Sequence, residues 1–296
     1  MSEINEKLLG AIPSPMDSRD YNIAMFTPVA ETFPIEYTLE FTTKIKNQGL
    51  IGSCVAQSLA YTREIKEEKQ SGIYKQFSSG FIYANRVGTL GELFETEGMA
   101  PRDALKNLQK YGTVLNEDFP YNDKYPVVKN LLAEKKDVLY KNAEPYKITS
   151  YLRLNTVEEV KTALMTLGAV TAMFPIYSSF SKITKSKPKA PVPDITKESF
   201  KGYHQMTIIG WKSDNTWVVL NSWGDSWGDY GKCYIPFTYP VQEYWSITDT
   251  LLPHWAEKYY YYLNTNGVTI HDRRFDDNIT RGEVMAILAR MKGIVE

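Results

Sequence analysis

The chain is poor in the residues that several kinds of site require. Only two cysteines, Cys54 and Cys233, occur in 296 residues, too few for a disulfide framework. Only three histidines are present, His204, His254 and His271. None of them stands among cysteines or carboxylates at a spacing that holds a metal ion, and no glycine-rich loop precedes a helix to cradle phosphate. A net charge of −1 leaves no electrostatic case for nucleic acid or anionic membrane as a partner. No apolar stretch approaches the ~20 residues of a membrane span. The start, Met-Ser-Glu-Ile-Asn-Glu-Lys, leans acidic and is followed by a short apolar stretch over residues 8–12. A secretory leader needs a basic start and about 7–15 apolar residues. The expectation is therefore a protein without an export signal, cytoplasmic or released by lysis. No cofactor is implied, and a hydrophobic content of 43% is ample for a packed core.

What is present is a thiol in a reactive setting. Residues 44–56 read Lys-Ile-Lys-Asn-Gln-Gly-Leu-Ile-Gly-Ser-Cys-Val-Ala, with Gln48 six positions before Cys54 and a helical pattern beginning at the cysteine. The positive end of a helix lowers a thiol pKa, and the unsatisfied N–H groups there can hold an oxyanion. The Gln48 amide can point at the same oxyanion. A base is then required. His204 opens an apolar strand-like run, Gly-Tyr-His-Gln-Met-Thr-Ile-Ile-Gly-Trp, and a second strand, residues 216–220, ends at Asn221. A hairpin turn at residues 212–215 brings His204 and Asn221 together, so that the amide oxygen orients the imidazole. Cys233, in the alternating stretch Gly-Lys-Cys-Tyr-Ile, reads as a small buried hydrophobe.

These pieces resemble the papain-like cysteine peptidases: Gln48-Gly-x-x-Gly-Ser-Cys54, His204 before an apolar strand, and Asn221-Ser-Trp-Gly-x-x-Trp-Gly228. The 150 residues from Cys54 to His204 fit that family's spacing. Residues 97–112 and Phe119-Pro-Tyr121 resemble its second helix and following turn. The resemblance implies an α+β, two-subdomain fold, helical on the cysteine side and β-rich on the histidine side, with the cleft between. It implies Cys54 as nucleophile, His204 as base, Asn221 as orienter and Gln48 in the oxyanion hole, acting on proteins or peptides without a cofactor. Trp223 becomes a wall over the Asn–His hydrogen bond, and Trp227 a structural residue. Ile51 stands where secreted relatives carry a disulfide cysteine, and Val55 where an aromatic is usual, a pattern nearer the bacterial or phage members. Where the family uses paired glycines to hold substrate backbone, this chain has Gly98 followed by Met99.

Residues 36–250 are expected to form the peptidase domain, with helices over 54–70, 101–111 and 157–167 and an apolar run over 169–176. Residues 1–35, rich in proline, form either a strap over the domain or a short pro-segment plugging the cleft. The lysine- and proline-rich residues 181–202 are either a solvated connection or a rim of the cleft. Residues 251–296 resemble one S-layer homology module, a small helical unit. Thr280 and Glu283 make a capping box, and Val284, Ile287, Leu288 and Met291 share one face. That resemblance implies cell-wall polysaccharide as a partner, with Arg281 and His254 at the glycan site, or else a helical cap docked on the peptidase. Other readings of the whole chain are an endolysin-like wall-peptide hydrolase, a thiol transferase on the same triad, or a wall-binding protein with a vestigial peptidase domain.

Overall fold

A computed structural model describes residues 9–17, 19–86, 98–123, 129–250 and 263 of the chain. The chain divides into two compact units, residues 1–16 with 22–251, and residues 17–21 with 252–296. The proposed wall module, with His254 and Arg281, lies outside the described residues. The account below concerns the first unit.

Among the described residues, four helices come before the main strands. The first, α1 (Cys54–Ser71), is buried at every position from Cys54 to Lys66. A helix enclosed on all sides carries no polar stripe, and this one runs through the middle of the unit. It stops at Gly72, whose N–H returns to the Glu68 carbonyl at 2.8 Å. The short α2 (Ser79–Ala84) starts at Ser78, whose side chain accepts the Phe81 N–H. Six residues, all buried, show no periodicity to read, and α2 was not anticipated. In α3 (Pro101–Tyr111), proline sits in the first turn and Gly112 ends the helix, as expected. The next helix, α4 (Lys129–Ala143), was not foreseen. A fifth, α5 (Val157–Thr166), follows Thr156, whose side chain accepts the Glu159 N–H.

Two strands of two residues each, β1 (Tyr21–Asn22) and β2 (Tyr37–Thr38), precede the longer ones. Those are β3 (Ser150–Leu154), β4 (Val170–Tyr177), β5 (Phe200–Lys212), β6 (Thr216–Leu220), β7 (Lys232–Pro236) and β8 (Glu243–Thr248). They pair antiparallel in the order β3-β8-β4-β5-β6-β7. The sheet is open, and β2 adds to β5 beside Trp211. The fold is thus α+β, with α1–α4 ahead of the six longer strands and α5 between β3 and β4, and with α1 packed along β4 and β5.

One apolar core joins the two halves. Leu59, Phe81, Tyr83, Leu105 and Leu108 from the helices meet Met173, Trp245 and Ile247 from the sheet. Each such large side chain, removed from water, stabilises the fold by about 1.5–3 kcal/mol before entropy is subtracted. Within the lysine- and proline-rich segment, residues 188–190 pair with β7. The Tyr234 N–H donates to the Pro188 carbonyl at 3.0 Å, and the Ala190 N–H donates to the Tyr234 carbonyl at 2.9 Å. This segment therefore covers the open edge at β7, where unpaired backbone would otherwise invite another chain.

Candidate active site

Cys54 is the first residue of α1 and is fully buried. Burial pushes its thiol up to about 11, while backbone N–H groups of Gln205, Gly10, Val55 and Cys54 itself pull it back down. Two of those donors, Cys54 and Val55, are the unsatisfied amides of the helix start. A third, Gln205, follows His204 directly, so the sulfur lies against β5 at the histidine.

The loop before α1 is pinned from several directions. The Gln48 N–H donates to the Ser222 carbonyl at 2.8 Å, its Oε1 accepts the Ser222 hydroxyl at 2.7 Å, and its Nε2 donates to the Ile51 carbonyl at 2.9 Å. The Gly224 N–H reaches the Lys46 carbonyl at 3.0 Å. Residues 46–48 are therefore zipped along residues 222–224, which ties the Gln48 segment to the Asn221 segment. Sequence reasoning missed two anchors of this loop. Tyr121 donates its hydroxyl to the Gln48 carbonyl at 2.6 Å and meets Ser53 Oγ at 2.9 Å. Tyr61, one turn down α1 from Ser58, accepts the Lys46 N–H and donates to the Asn221 carbonyl at 3.3 Å. A tyrosine inside a motif-like turn, Phe119-Pro-Tyr121, was the one available signal; Tyr61 had none.

On the strand side the expected hairpin forms, β5 against β6. His204 Nε2 lies 2.8 Å from Asn221 Oδ1. That same oxygen also accepts the Ser222 N–H at 2.8 Å, which identifies it as the amide oxygen. An amide oxygen only accepts, so Nε2 must carry the proton and the neutral ring keeps its lone pair on Nδ1. The ring of Trp223 lies 4.8 Å from the His204 ring at 34°, and Trp223 in turn meets Phe180 at 6.0 Å and Trp227 at 5.2 Å. Trp223 therefore stands beside the histidine as a wall, and Trp227 supports it. His204 and Asn221 are almost completely buried, a setting in which their hydrogen bond is stronger than in water.

The N-terminal segment occupies the space over these groups. Ala11 bridges Met99 and Gly10 bridges Tyr203. The Met99 N–H donates to the Gly10 carbonyl at 2.9 Å, the Ile12 N–H to the Met99 carbonyl at 3.1 Å, and the Ala11 N–H to the Tyr203 carbonyl at 3.3 Å. A Cβ at Gly10 would collide with the Gly52 carbonyl, and Gly98, at φ +65°, has its own α-position against the Gly10 carbonyl. Only glycine permits both approaches. Further along, the Ser14 N–H donates to Glu243 Oε1 at 3.0 Å and Arg102 donates to the Pro15 carbonyl. Gly98 and Met99 thus hold backbone, and the backbone they hold is the chain's own. The strap offers Cys54 an N–H, that of Gly10, while its carbonyl is turned to Met99.

Among the described residues no group of three His, Cys, Asp or Glu side chains could hold a metal ion, and no helix is long and apolar enough to cross a membrane.

The sequence profile of the papain family of cysteine proteases matches residues 36–249. An uncharacterized peptidase C1-like protein of Acanthamoeba polyphaga mimivirus is 27% identical over 226 residues, 70% of this chain and 70% of that protein. Mouse cathepsin K is 26% identical over 248 residues, covering 77% of this chain and 68% of the cathepsin. Among solved structures, xylellain, a cysteine protease from Xylella fastidiosa, superposes with a TM-score of 0.72 at 25% identity over 84% of this chain and 99% of its own.

Proposed function

The chain belongs to the papain family of cysteine proteases, and on that premise we propose that Cys54, His204 and Asn221 carry out its peptide-bond hydrolysis. The observation that carries this reading is the pairing of His204 Nε2 with Asn221 Oδ1 at 2.8 Å, on the strand whose next amide touches the Cys54 sulfur. His204 Nδ1 takes the thiol proton. The thiolate attacks the substrate carbonyl carbon, and the oxyanion is held by the Cys54 N–H and the Gln48 Nε2–H. Collapse expels the amine, which leaves with the proton from His204. Water, deprotonated by the same nitrogen, then attacks the thioester and frees Cys54. Substrate backbone takes the places of the strap on Gly98, Met99 and Tyr203, with Trp223 walling the leaving side.

Residues 9–15 act in this reading as an inhibitory pro-segment. They occupy the substrate strip, and an N–H facing the sulfur gives the nucleophile nothing to attack. Covering the thiol also keeps it protonated, because burial is the largest influence on it. The proposed wall-glycan partner, through His254 and Arg281, rests on the sequence of residues 251–296 alone.

The test is mass spectrometry after exposure to an epoxysuccinyl thiol reagent. Three forms are compared: the unaltered chain, Gly10→Leu, and Gly10→Leu with His204→Ala. Leucine at position 10 collides with Gly52 and dislodges the strap, so the single adduct on Cys54 should form fast in Gly10→Leu, slowly in the unaltered chain, and hardly at all without His204. Equal labelling of the first two would end the pro-segment reading. Labelling indifferent to His204 would end the catalytic pairing.

A further inference from the structure

Below the catalytic pair lies a buried polar cluster that the mechanism above does not use. Ser58 is one helical turn beyond Cys54 on α1; Thr171 is on β4, and Gln205 and Thr207 are on β5. None of the four is more than 2% exposed. Ser58 Oγ lies 2.7 Å from Thr171 Oγ1 and 2.7 Å from Thr207 Oγ1. Thr207 Oγ1 also donates to the Ser58 carbonyl at 3.1 Å, and Gln205 Nε2 donates to Thr171 Oγ1 at 2.6 Å.

These contacts admit one arrangement of protons. Thr207 gives its only hydroxyl proton to the Ser58 carbonyl, so it must accept from Ser58. Ser58 has then spent its proton and must accept from Thr171. Thr171 in turn must accept from Gln205, which fixes the orientation of the Gln205 amide. The relay runs Gln205, Thr171, Ser58, Thr207 and ends on the α1 backbone. Each hydroxyl in it donates once and accepts at least once.

Stability alone does not call for such a relay. Gln205 Oε1 is buried with no hydrogen-bond partner among the described residues, and an unmet buried acceptor costs free energy that apolar residues of the same shape would not. The relay does have a geometric consequence. Cys54 and His204 stand on separate elements, and apolar contact between a helix and a sheet fixes their spacing only loosely, whereas hydrogen bonds are directional. Here two directional contacts join Cys54's helix, one turn below the sulfur, directly to the strand of His204, and two more join them through Thr171 on β4. The residue at the head of the relay, Gln205, is also the one whose backbone N–H meets the sulfur.

We propose that Gln205, Thr171, Ser58 and Thr207 are positioning residues that lock α1 to β4 and β5 in one register and thereby set the separation of the Cys54 sulfur from the His204 ring. The proposal rests on the Cys54–His204 pairing given above. It is specific about mechanism: the relay acts on the formation of the thiolate and on turnover, and leaves substrate binding alone.

The experiment is an ultraviolet titration of the Cys54 thiolate near 240 nm in the full chain, with and without Gly10→Leu. Each form is subtracted against its own Cys54→Ala counterpart. Thr171→Val keeps the shape and breaks the relay, and Thr171→Ser restores the hydroxyl. In Thr171→Val the midpoint of thiolate formation should rise by about 1 pH unit. In the Gly10→Leu background kcat should fall by about 10- to 100-fold, with KM held, as a sub-ångström misplacement of reacting groups does. Thr171→Ser should return both. Should Thr171→Val fail to fold, Gln205→Met breaks the other end of the relay at similar volume and is read the same way. A midpoint and kcat that do not move in a folded relay variant overturn the proposal, whatever the melting temperature does. So does a loss that Thr171→Ser does not restore. If the unaltered chain and Gly10→Leu show no His204-dependent thiolate signal at all, the catalytic pairing itself falls, and this proposal with it.

Discussion

The two cysteines of this chain are equally buried, both with no exposed surface, and they sit in opposite surroundings. Cys233 lies in β7, and burial alone acts on it, pushing its thiol well above the usual range. Cys54 is pushed up by burial as well, but four backbone N–H groups pull against that push, and it stays at about 11. Two of the four belong to the start of α1, one to the strand of His204, and one to the strap. Burial by itself therefore makes an inert thiol, and the backbone donors at a helix start work against that burial. What separates the proposed nucleophile Cys54 from the core residue Cys233 is the direction of nearby backbone amides.

The sharpest way to break that comparison is to remove each sulfur in turn. Cys54→Ala in the Gly10→Leu background should lower kcat/KM for a peptide substrate by about 10⁴-fold or more, as loss of a covalent nucleophile does. Cys233→Ala should leave the rate unchanged and cost about 1 kcal/mol in chemical denaturation through the small cavity it leaves. Comparable losses of activity from both would erase the distinction. A smaller effect is expected at the orienter. Asn221→Ala removes the acceptor that holds the proton on Nε2, and turnover should fall about 10²-fold with the melting temperature nearly kept. A rate within a factor of two of the parent would show that the ring needs no such partner.

The smallest effect is on stability against pH. Both thiols are raised in the folded chain, Cys54 from 9.0 to about 11. A raised thiol releases its proton from the unfolded chain first, so the stability it contributes is complete below about pH 9 and is lost as pH rises through about 11. Urea midpoints measured from pH 8 to 11 should fall, and the double Cys54→Ala, Cys233→Ala variant should fall less steeply. Some decline will remain, because burial raises Tyr61, Tyr239 and half-buried Tyr121 too. An identical slope in the double variant would mean that the thiols are not the groups responsible.

Much of the site was legible because its parts are local. Residues 54–70, 101–111 and 157–167 were expected as helices and form within one residue of those limits. The apolar run at residues 169–176 is observed as the strand β4 (Val170–Tyr177). The hairpin of β5 and β6 followed from a turn at residues 212–215 between two apolar runs, and it delivered His204 to Asn221. Helix α2 was missed because six wholly buried residues show no period. Tyr121 stood in a motif-like turn and Tyr61 in no motif at all, and neither showed its partner in the Gln48 loop, which lies at least 15 positions away.

The strap marks the boundary between the two kinds of information. Its composition left two readings of residues 1–35 open, and nothing in a proline-rich segment says where it docks. The structure places Gly10 and Ala11 on Met99 and Tyr203, which lie 88 and 193 positions away in Ala11–Met99 and Gly10–Tyr203. The sequence by itself determined the helix that begins at a cysteine, the strands around a histidine and an asparagine, and the family they belong to, because helix starts, turns and periodicity depend on neighbours in the chain. Packing alone brought residues 10–12 onto Met99 and Tyr203, Trp223 against the His204 ring, and a relay of hydroxyls to the turn of α1 below Cys54. Those depend on groups distant in sequence meeting at hydrogen-bond distance, and such meetings are settled only when helices and sheet pack into one core.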